Sequence, residues 1–201
     1  MSNLMLRVAL TGGIATGKSY VLARLRERGV PTIDADDVVH EALGPGTPTT
    51  KAIATQFGSV FLKPDGSIHR ALLAAKVFRD VESRLQLEAM IHPVIYDTIR
   101  KWYETLDGPM GIASVPLLYE THREKDFDFV AVTVCSPEQQ LQRILERDNI
   151  SEEEARQRMA AQMPAAEKAQ RADFVILTGG TTLATDHQVD ELLLAIRHFK
   201  P

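Results

Sequence analysis

Apolar residues fall along this chain in two rhythms. Short, mostly apolar runs rich in β-branched residues occupy 6–10, 112–115, 129–134 and 174–177, with a briefer run ending at Ile33. Between them apolar positions recur at helical spacing, as at Val21, Leu22 and Leu25. Continuous apolar runs are the mark of strands covered on both faces, and parallel strands need long, usually helical, crossovers. The pattern therefore predicts an α/β fold, a three-layer α/β/α sandwich around a parallel sheet. Ligands of such sheets gather outside the carboxyl ends of the strands.

Two stretches interrupt the alternation. From Ile33 to Ile112 no comparable strand occurs, only helical patterns at 48–57, 69–77 and 81–106, the last expected to bend or break at His92-Pro93. Gly44-Pro45-Gly46-Thr47-Pro48 punctuates the start of this insertion, and Pro64-Asp65-Gly66 marks a turn inside it. A second elaboration comprises 137–147 and 151–163. Asn149-Ile150 separates its halves, and Ser151 followed by Glu152, Glu153 and Glu154 is an N-cap with acids in the first turn.

Composition narrows the class further. The 201 residues are 44% hydrophobic, ample for a core, and every apolar run falls well short of the ~20 residues of a membrane span. The start of the chain lacks the basic, apolar and small-residue sequence of a signal peptide, so the cytoplasm is the expected compartment. A net charge of −4 argues against broad binding to nucleic acid or an anionic membrane. Any polyanion must be met locally, by Arg143, Arg147, Arg156, Arg158, Lys168 or Arg171. Interleaved acids make a solvated, ion-paired helix face the competing reading of these cations. The single cysteine, Cys135, permits no internal disulfide and, closing Val130-Ala131-Val132-Thr133-Val134-Cys135, is expected to pack as part of that strand.

Residues Gly12-Gly13-Ile14-Ala15-Thr16-Gly17-Lys18-Ser19 spell G-x-x-x-x-G-K-S between a strand and a helical pattern. Gly12 and Gly17 let the backbone curl so that successive N–H groups point at phosphate oxygens. Lys18 then reaches the β- and γ-phosphates, and the Ser19 hydroxyl suits Mg²⁺. The segment from Gly12 to Tyr20 is expected to hold a nucleoside triphosphate.

Phosphoryl transfer also needs a group that handles the acceptor proton and cations that meet charge on the transferred group. Ile33-Asp34-Ala35-Asp36-Asp37 ends the short second strand, which is expected beside the first. Residues two apart in a strand point the same way, so Asp34 and Asp36 would share a face, one accepting a proton and the other holding a metal-bound water. The alternative makes Asp36 the N-cap of a helix from Asp37 to Leu43. Glu120, closing Val115-Pro116-Leu117-Leu118-Tyr119-Glu120, suits Mg²⁺, acceptor contact or a helix start equally well. His92 is either a packing or capping residue or a ligand contact. Arg143 and Arg147, four apart, share a helix face suited to a lid over phosphates or to surface ion pairs.

These blocks together resemble the dephospho-CoA kinase family over nearly the whole chain. The resemblance rests on Leu10 through Ser19, Ile33-Asp34-Ala35-Asp36, Asp65-Gly66 with Arg70, Ile91-His92-Pro93, the Pro116-Leu117-Leu118 block, Gln140 to Asp148 and Ala172-Asp173-Phe174-Val175-Ile176. It implies ATP-dependent phosphorylation of the ribose 3′-hydroxyl of dephospho-CoA, the last step of coenzyme A synthesis, with ATP as co-substrate and Mg²⁺. It further implies Asp36 as general base, Asp34 as its supporting carboxylate, and catalytic roles for Lys18 and Arg143. Arg147 would contact ATP, while Arg70, His92 and Glu120 would face the acceptor. The implied domains are a nucleotide-binding core (1–43, 109–138, 170–201), a helical acceptor-binding domain (44–108) and a lid (139–169). A monomer or small homo-oligomer is expected, with no nucleic-acid or membrane partner.

Two departures from the family pattern stand out. Ala15 occupies a position where the family usually has glycine, tolerable if its φ stays negative. The asparagine common after the last strand is replaced by Leu177-Thr178-Gly179-Gly180, where Thr178 offers a hydroxyl and the glycines offer backbone groups to a nucleobase. Other small-molecule kinases share the loop and differ in the insertion. A GTP-driven switch would carry Asn-Lys-x-Asp and Asp-x-x-Gly motifs, absent here in useful position, and a silent nucleotide-binding module would not keep Lys18, Ser19, Asp34 and Asp36.

Overall fold

The computed structural model describes residues 5–200, the side chains of Phe78 and Arg79 excepted. Its strands are β1 (Leu6–Gly12), β2 (Thr32–Asp34), β3 (Met110–Ser114), β4 (Phe129–Val134) and β5 (Phe174–Leu177), in one sheet of order β2-β3-β1-β4-β5. The β1–β3, β1–β4 and β4–β5 pairings are parallel, with Val8 opposite Ile112 and Gly12 opposite Thr133. The expectation that β2 lies beside β1 is overturned, because β3 takes that place. Three half-buried residues form a ladder too short for a central position and suit an edge, whereas β3 is buried along nearly its whole length. Connections leaving β1 and β4 run to opposite sides of the sheet, which puts a topological switch point, the usual ligand crevice, between these neighbours.

Alternation along the strands sorts the covering helices. Leu6, Val8, Leu10, Phe129 and Ala131 pack with Val21, Leu22 and Leu25 of α1 (Lys18–Glu27) and Val189, Leu192 and Ile196 of α9 (Thr182–His198). Ala9, Thr11, Val130 and Val132 face the other way, and α8 (Ala165–Gln170) packs there on β4. Each fully buried aliphatic side chain contributes roughly 1.5–3 kcal/mol, so this face anchors the loop that links β1 to α1. Cys135 lies just past the end of β4, buried, its thiol pushed up by desolvation.

Between these core elements stand α6 (Pro137–Asp148) and α7 (Glu152–Ala160). Ser136 and Gln139 close a reciprocal capping box on α6, Asn149 turns into left-handed backbone at φ +51°, and Ser151 caps α7 as its sequence predicts.

The backbone divides into two compact units, one of described residues up to Ile33 with those from Leu106 onward, the other Asp34–Thr105. The second consists of α2 (Ala35–Ala42), α3 (Pro48–Phe57), α4 (Arg70–Arg79) and α5 (Val81–Glu104). It has its own core of Leu43, Ile53, Phe61, Ile68 and Leu73. The expected turn at Pro64–Gly66 is present, closed by the Gly66 N–H donating to the Lys63 carbonyl at 2.9 Å. Of the bend or break expected at His92-Pro93, the break is absent, for α5 runs through Pro93. Proline in a helix interior costs about 3 kcal/mol. Here its ring is exposed, and burial of Ile95, Ile99 and Tyr103 in the following turns offsets the missing hydrogen bond.

Candidate active site

The loop after β1 is shaped by residues on three neighbouring segments. A Cβ on Gly12, whose φ is +152°, would sit 2.3 Å from the Thr133 hydroxyl of β4 and 2.7 Å from that of Thr16. Gly17, at φ +91°, ends the loop as the N-cap of α1, with Thr178 side-chain atoms 3.2 Å from where its Cβ would be. Only glycine fits these two turns. Thr16 is fully buried; its hydroxyl donates to the Gly13 carbonyl and lies 2.8 Å from the Thr133 oxygen. The N-cap of α1 is Gly17, which has no side chain to cap it, and no acid occupies the first turn, so the positive end of the helix dipole suits an anion.

Ala15 contradicts the expectation of negative φ, since it sits at +57°. The loop tip keeps the left-handed turn that glycine would make freely, and alanine there costs roughly 1–2 kcal/mol. Helix α6 braces this tip. Gln140 Nε2 donates to the Ile14 carbonyl at 2.6 Å, and the Arg143 guanidinium reaches the Ala15 carbonyl at 3.4 Å and the Thr178 carbonyl at 2.7 Å. From the far side of α7, Gln162 Oε1 accepts the Ile14 N–H at 2.8 Å. Lys18 folds onto its own loop, with Nζ 3.2 Å from the Gly12 carbonyl and 3.4 Å from that of Gly13. Ser19 is exposed in the first turn of α1. Tyr20 belongs to the same turn, but its hydroxyl donates to Asp186 of α9.

Arg143 and Arg147 part company despite their shared spacing. Arg143 is tied to the loop, whereas Arg147 bonds Asp148, which Arg158 also reaches at 3.0 Å. These guanidinium contacts, Arg147 foremost, hold the Asp148 carboxyl below the usual carboxylate range. Thr178 is committed as well, its hydroxyl donating to the Thr16 carbonyl at 2.7 Å beneath the loop. Thr178 therefore braces the loop after β1.

Lys168 departs most from its sequence reading. It lies on no solvated face but is fully buried, with Nζ 2.7 Å from the Pro116 carbonyl and 2.8 Å from Glu120 Oε1. Desolvation pulls its ammonium below the ordinary lysine range, opposed by the Glu120 carboxylate. Glu120 starts no helix. Its carboxylate is engaged by Lys168 and by the Met163 N–H at 2.9 Å. Beside it Tyr119 is buried under the Arg171 guanidinium, 4.3 Å from its ring centre, and desolvation pushes its phenol up to about 12.

The remaining candidates belong to the 34–105 unit. Asp34 and Asp36 do not share a strand face as expected, because Asp36 lies in the first turn of α2 rather than in β2. The capping residue is Asp34 and not Asp36: the Asp34 carboxylate accepts the Asp36 N–H at 3.0 Å, leaving the Asp36 side chain exposed. Arg70 opens α4 and lies 2.9 Å from Nδ1 of His40 on α2. His92 is half-buried in α5, edge-on to Tyr96 with ring centres 6.3 Å apart.

Sequence reasoning passed over Gln162, Thr133 and the buried role of Lys168. Gln140 carried a faint signal, standing one turn before Arg143 and so on the same helix face.

A family model described as dephospho-CoA kinase matches residues 6–183. A dephospho-CoA kinase of Anaeromyxobacter dehalogenans is 42% identical over 193 residues, covering 94% of this chain and 92% of its own length. One from Methylococcus capsulatus is 39% identical over 188 residues, covering 94% and 95%. Among solved structures, the dephospho-CoA kinase of Campylobacter jejuni superposes with a TM-score of 0.65 at 27% identity, covering 94% of this chain and 96% of that one. A Thermus thermophilus protein reaches 0.82 at 28%, covering 98% and 99%.

Proposed function

The chain belongs to the dephospho-CoA kinase family, and from that premise we propose that it transfers the γ-phosphoryl group of ATP to the ribose 3′-hydroxyl of dephospho-CoA, giving coenzyme A and ADP. The observation that carries the reading is the built phosphate loop. Gly12 sits where a Cβ would collide, Gly17 holds a positive φ against Thr178, Lys18 and Arg143 are both fastened to the loop's carbonyls, and α1 begins behind it on a glycine N-cap. On ATP binding Lys18 exchanges its carbonyl contacts for phosphate oxygens. Lys18 and Arg143 then meet the charge that spreads over the transferred group.

Asp36 is the proposed general base. Its carboxylate is exposed and spared from capping by Asp34, so it is available to accept the 3′-hydroxyl proton. Arg70 and His92 are proposed to bind the acceptor, with Arg70 drawn from His40 to an anionic group. Arg147 is proposed to reach ATP on exchanging its contact with Asp148. The lone hydroxyl of Ser19 at the head of α1 fits Mg²⁺, which takes most of its ligands from phosphate and water and would neutralise phosphate charge. The work is proposed to divide among a core, a helical acceptor domain and a lid carrying α6 and α7.

The deciding experiment measures ADP release from ATP·Mg²⁺ with dephospho-CoA, against adenosine, AMP and phosphopantetheine. Coenzyme A formed from dephospho-CoA alone, phosphorylated at the 3′ position by NMR, is the expected result. Turnover with another acceptor and none with dephospho-CoA would overturn it.

A further inference from the structure

Among the described residues Lys168 is the one charged side chain that is fully buried. A buried ammonium is tolerated only when paired and saturated with acceptors, and this one has the Pro116 carbonyl at 2.7 Å and both Glu120 oxygens at 2.8 and 3.1 Å. Such a site orders whatever is attached to it. The Thr11 hydroxyl, one residue before the phosphate loop, donates to the same Pro116 carbonyl at 3.2 Å. On the other side Glu120 accepts the Met163 N–H at 2.9 Å.

The residue before Met163 is Gln162, whose side chain takes the Ile14 N–H, while Gln140 donates to the Ile14 carbonyl. Both polar groups of Ile14 are thus held from outside the loop, immediately before the left-handed Ala15. Strained backbone of this kind persists where its surroundings over-determine it.

We infer that Glu120 and Lys168 are positioning residues for nucleotide binding: they anchor the segment after α7 so that Gln162, with Gln140, sets the Ile14 peptide and hence the tip of the phosphate loop. This rests on the reading that the loop holds ATP. It gives Glu120 a task on the nucleotide side, acting through Met163 and Gln162 rather than through the acceptor.

The test is the dissociation constant of ATP·Mg²⁺, read by displacement of a fluorescent nucleotide from the full chain. It compares wild type, Gln162→Ala, Glu120→Gln and the double variant, with dephospho-CoA affinity measured in parallel. Each single change should weaken ATP·Mg²⁺ by about five- to tenfold, the worth of one hydrogen bond. The double variant should be no weaker than the weaker single, and dephospho-CoA affinity should not move. Wild-type ATP affinity in Gln162→Ala, or fully multiplicative losses in the double variant, would overturn the inference. So would loss of dephospho-CoA affinity in Glu120→Gln with ATP binding intact, which returns Glu120 to the acceptor. If Glu120→Gln does not fold, Glu120→Asp, which keeps the countercharge of Lys168 but shortens the reach to Met163, must show the same pattern. Failure of wild type itself to bind ATP·Mg²⁺ would overturn the functional reading instead.

Discussion

The phosphate loop and the first turn of α2 each carry proposed catalytic groups, and they are built in opposite ways. The loop is gripped: Thr16 and Thr133 are buried beneath it, and Gln140, Arg143 and Gln162 hold its tip. At the start of α2, Asp34 secures the backbone and Asp36 is left exposed. The loop must present several N–H groups at once to a phosphate chain, and such an array works only when its geometry is set beforehand. A single carboxylate that accepts one proton needs reach and freedom more than rigidity, because bound substrate completes its surroundings.

The sharpest way to break this contrast is Lys18→Ala. It should lower kcat/KM by ~10²–10³-fold and weaken ATP together, since one group serves both binding and charge stabilisation. Steady-state kinetics with a separate nucleotide titration would show it, and unchanged kinetics would sink the loop assignment. Asp36→Asn should cut kcat by ~10²-fold while leaving ATP affinity and Tm nearly alone, because Asp34 does the capping. Full turnover in that variant would remove Asp36 as base.

Smaller effects probe how rigidity is maintained. Ala15→Gly relieves a left-handed alanine costing ~1–2 kcal/mol and returns part of that as chain entropy, so a net gain of up to ~1 kcal/mol is expected. In a chain this long that is a rise in Tm of about 2–4 °C per kcal/mol, visible by calorimetry. The faintest effect is on the acid limb. The Asp148 carboxyl titrates lower in the fold than its ordinary 3.8, so its contribution is present above that pH and fades as pH falls through the folded value. Urea unfolding of Asp148→Asn beside wild type should differ by at most ~1 kcal/mol at pH 7 and converge towards pH 2.

Much of the architecture is legible in the sequence. The four longer apolar runs became β1, β3, β4 and β5, because a parallel strand buried on both faces has no polar side to confuse its pattern. The caps at Ser136 and Ser151 were readable for a similar reason, since capping depends on residues a few positions apart. Reading the edge was harder. Three residues of β2 carry no period, so neither its place beside β3 nor the point where strand becomes helix, between Asp34 and Asp36, is legible in the sequence. Pro93 gave a strong local signal for a bend or a break, and the break is what the packing of Ile95 and Ile99 overruled.

The candidate site divides along the same line. By itself the sequence determined the glycines, Lys18 and Ser19, because phosphate recognition is carried by backbone and spacing within eight consecutive residues. Only the tertiary structure decided that Thr133, Gln140, Gln162 and Thr178 shape that loop, that Arg143 is bound to it while Arg147 pairs with Asp148, and that Lys168 is buried against Glu120. Apart from Arg147 with Asp148, those pairings join residues 35 to 162 positions apart, and no local propensity distinguishes a lysine destined for the interior from one facing water. What selects it is a carbonyl and a carboxylate that the fold has already brought to the same place.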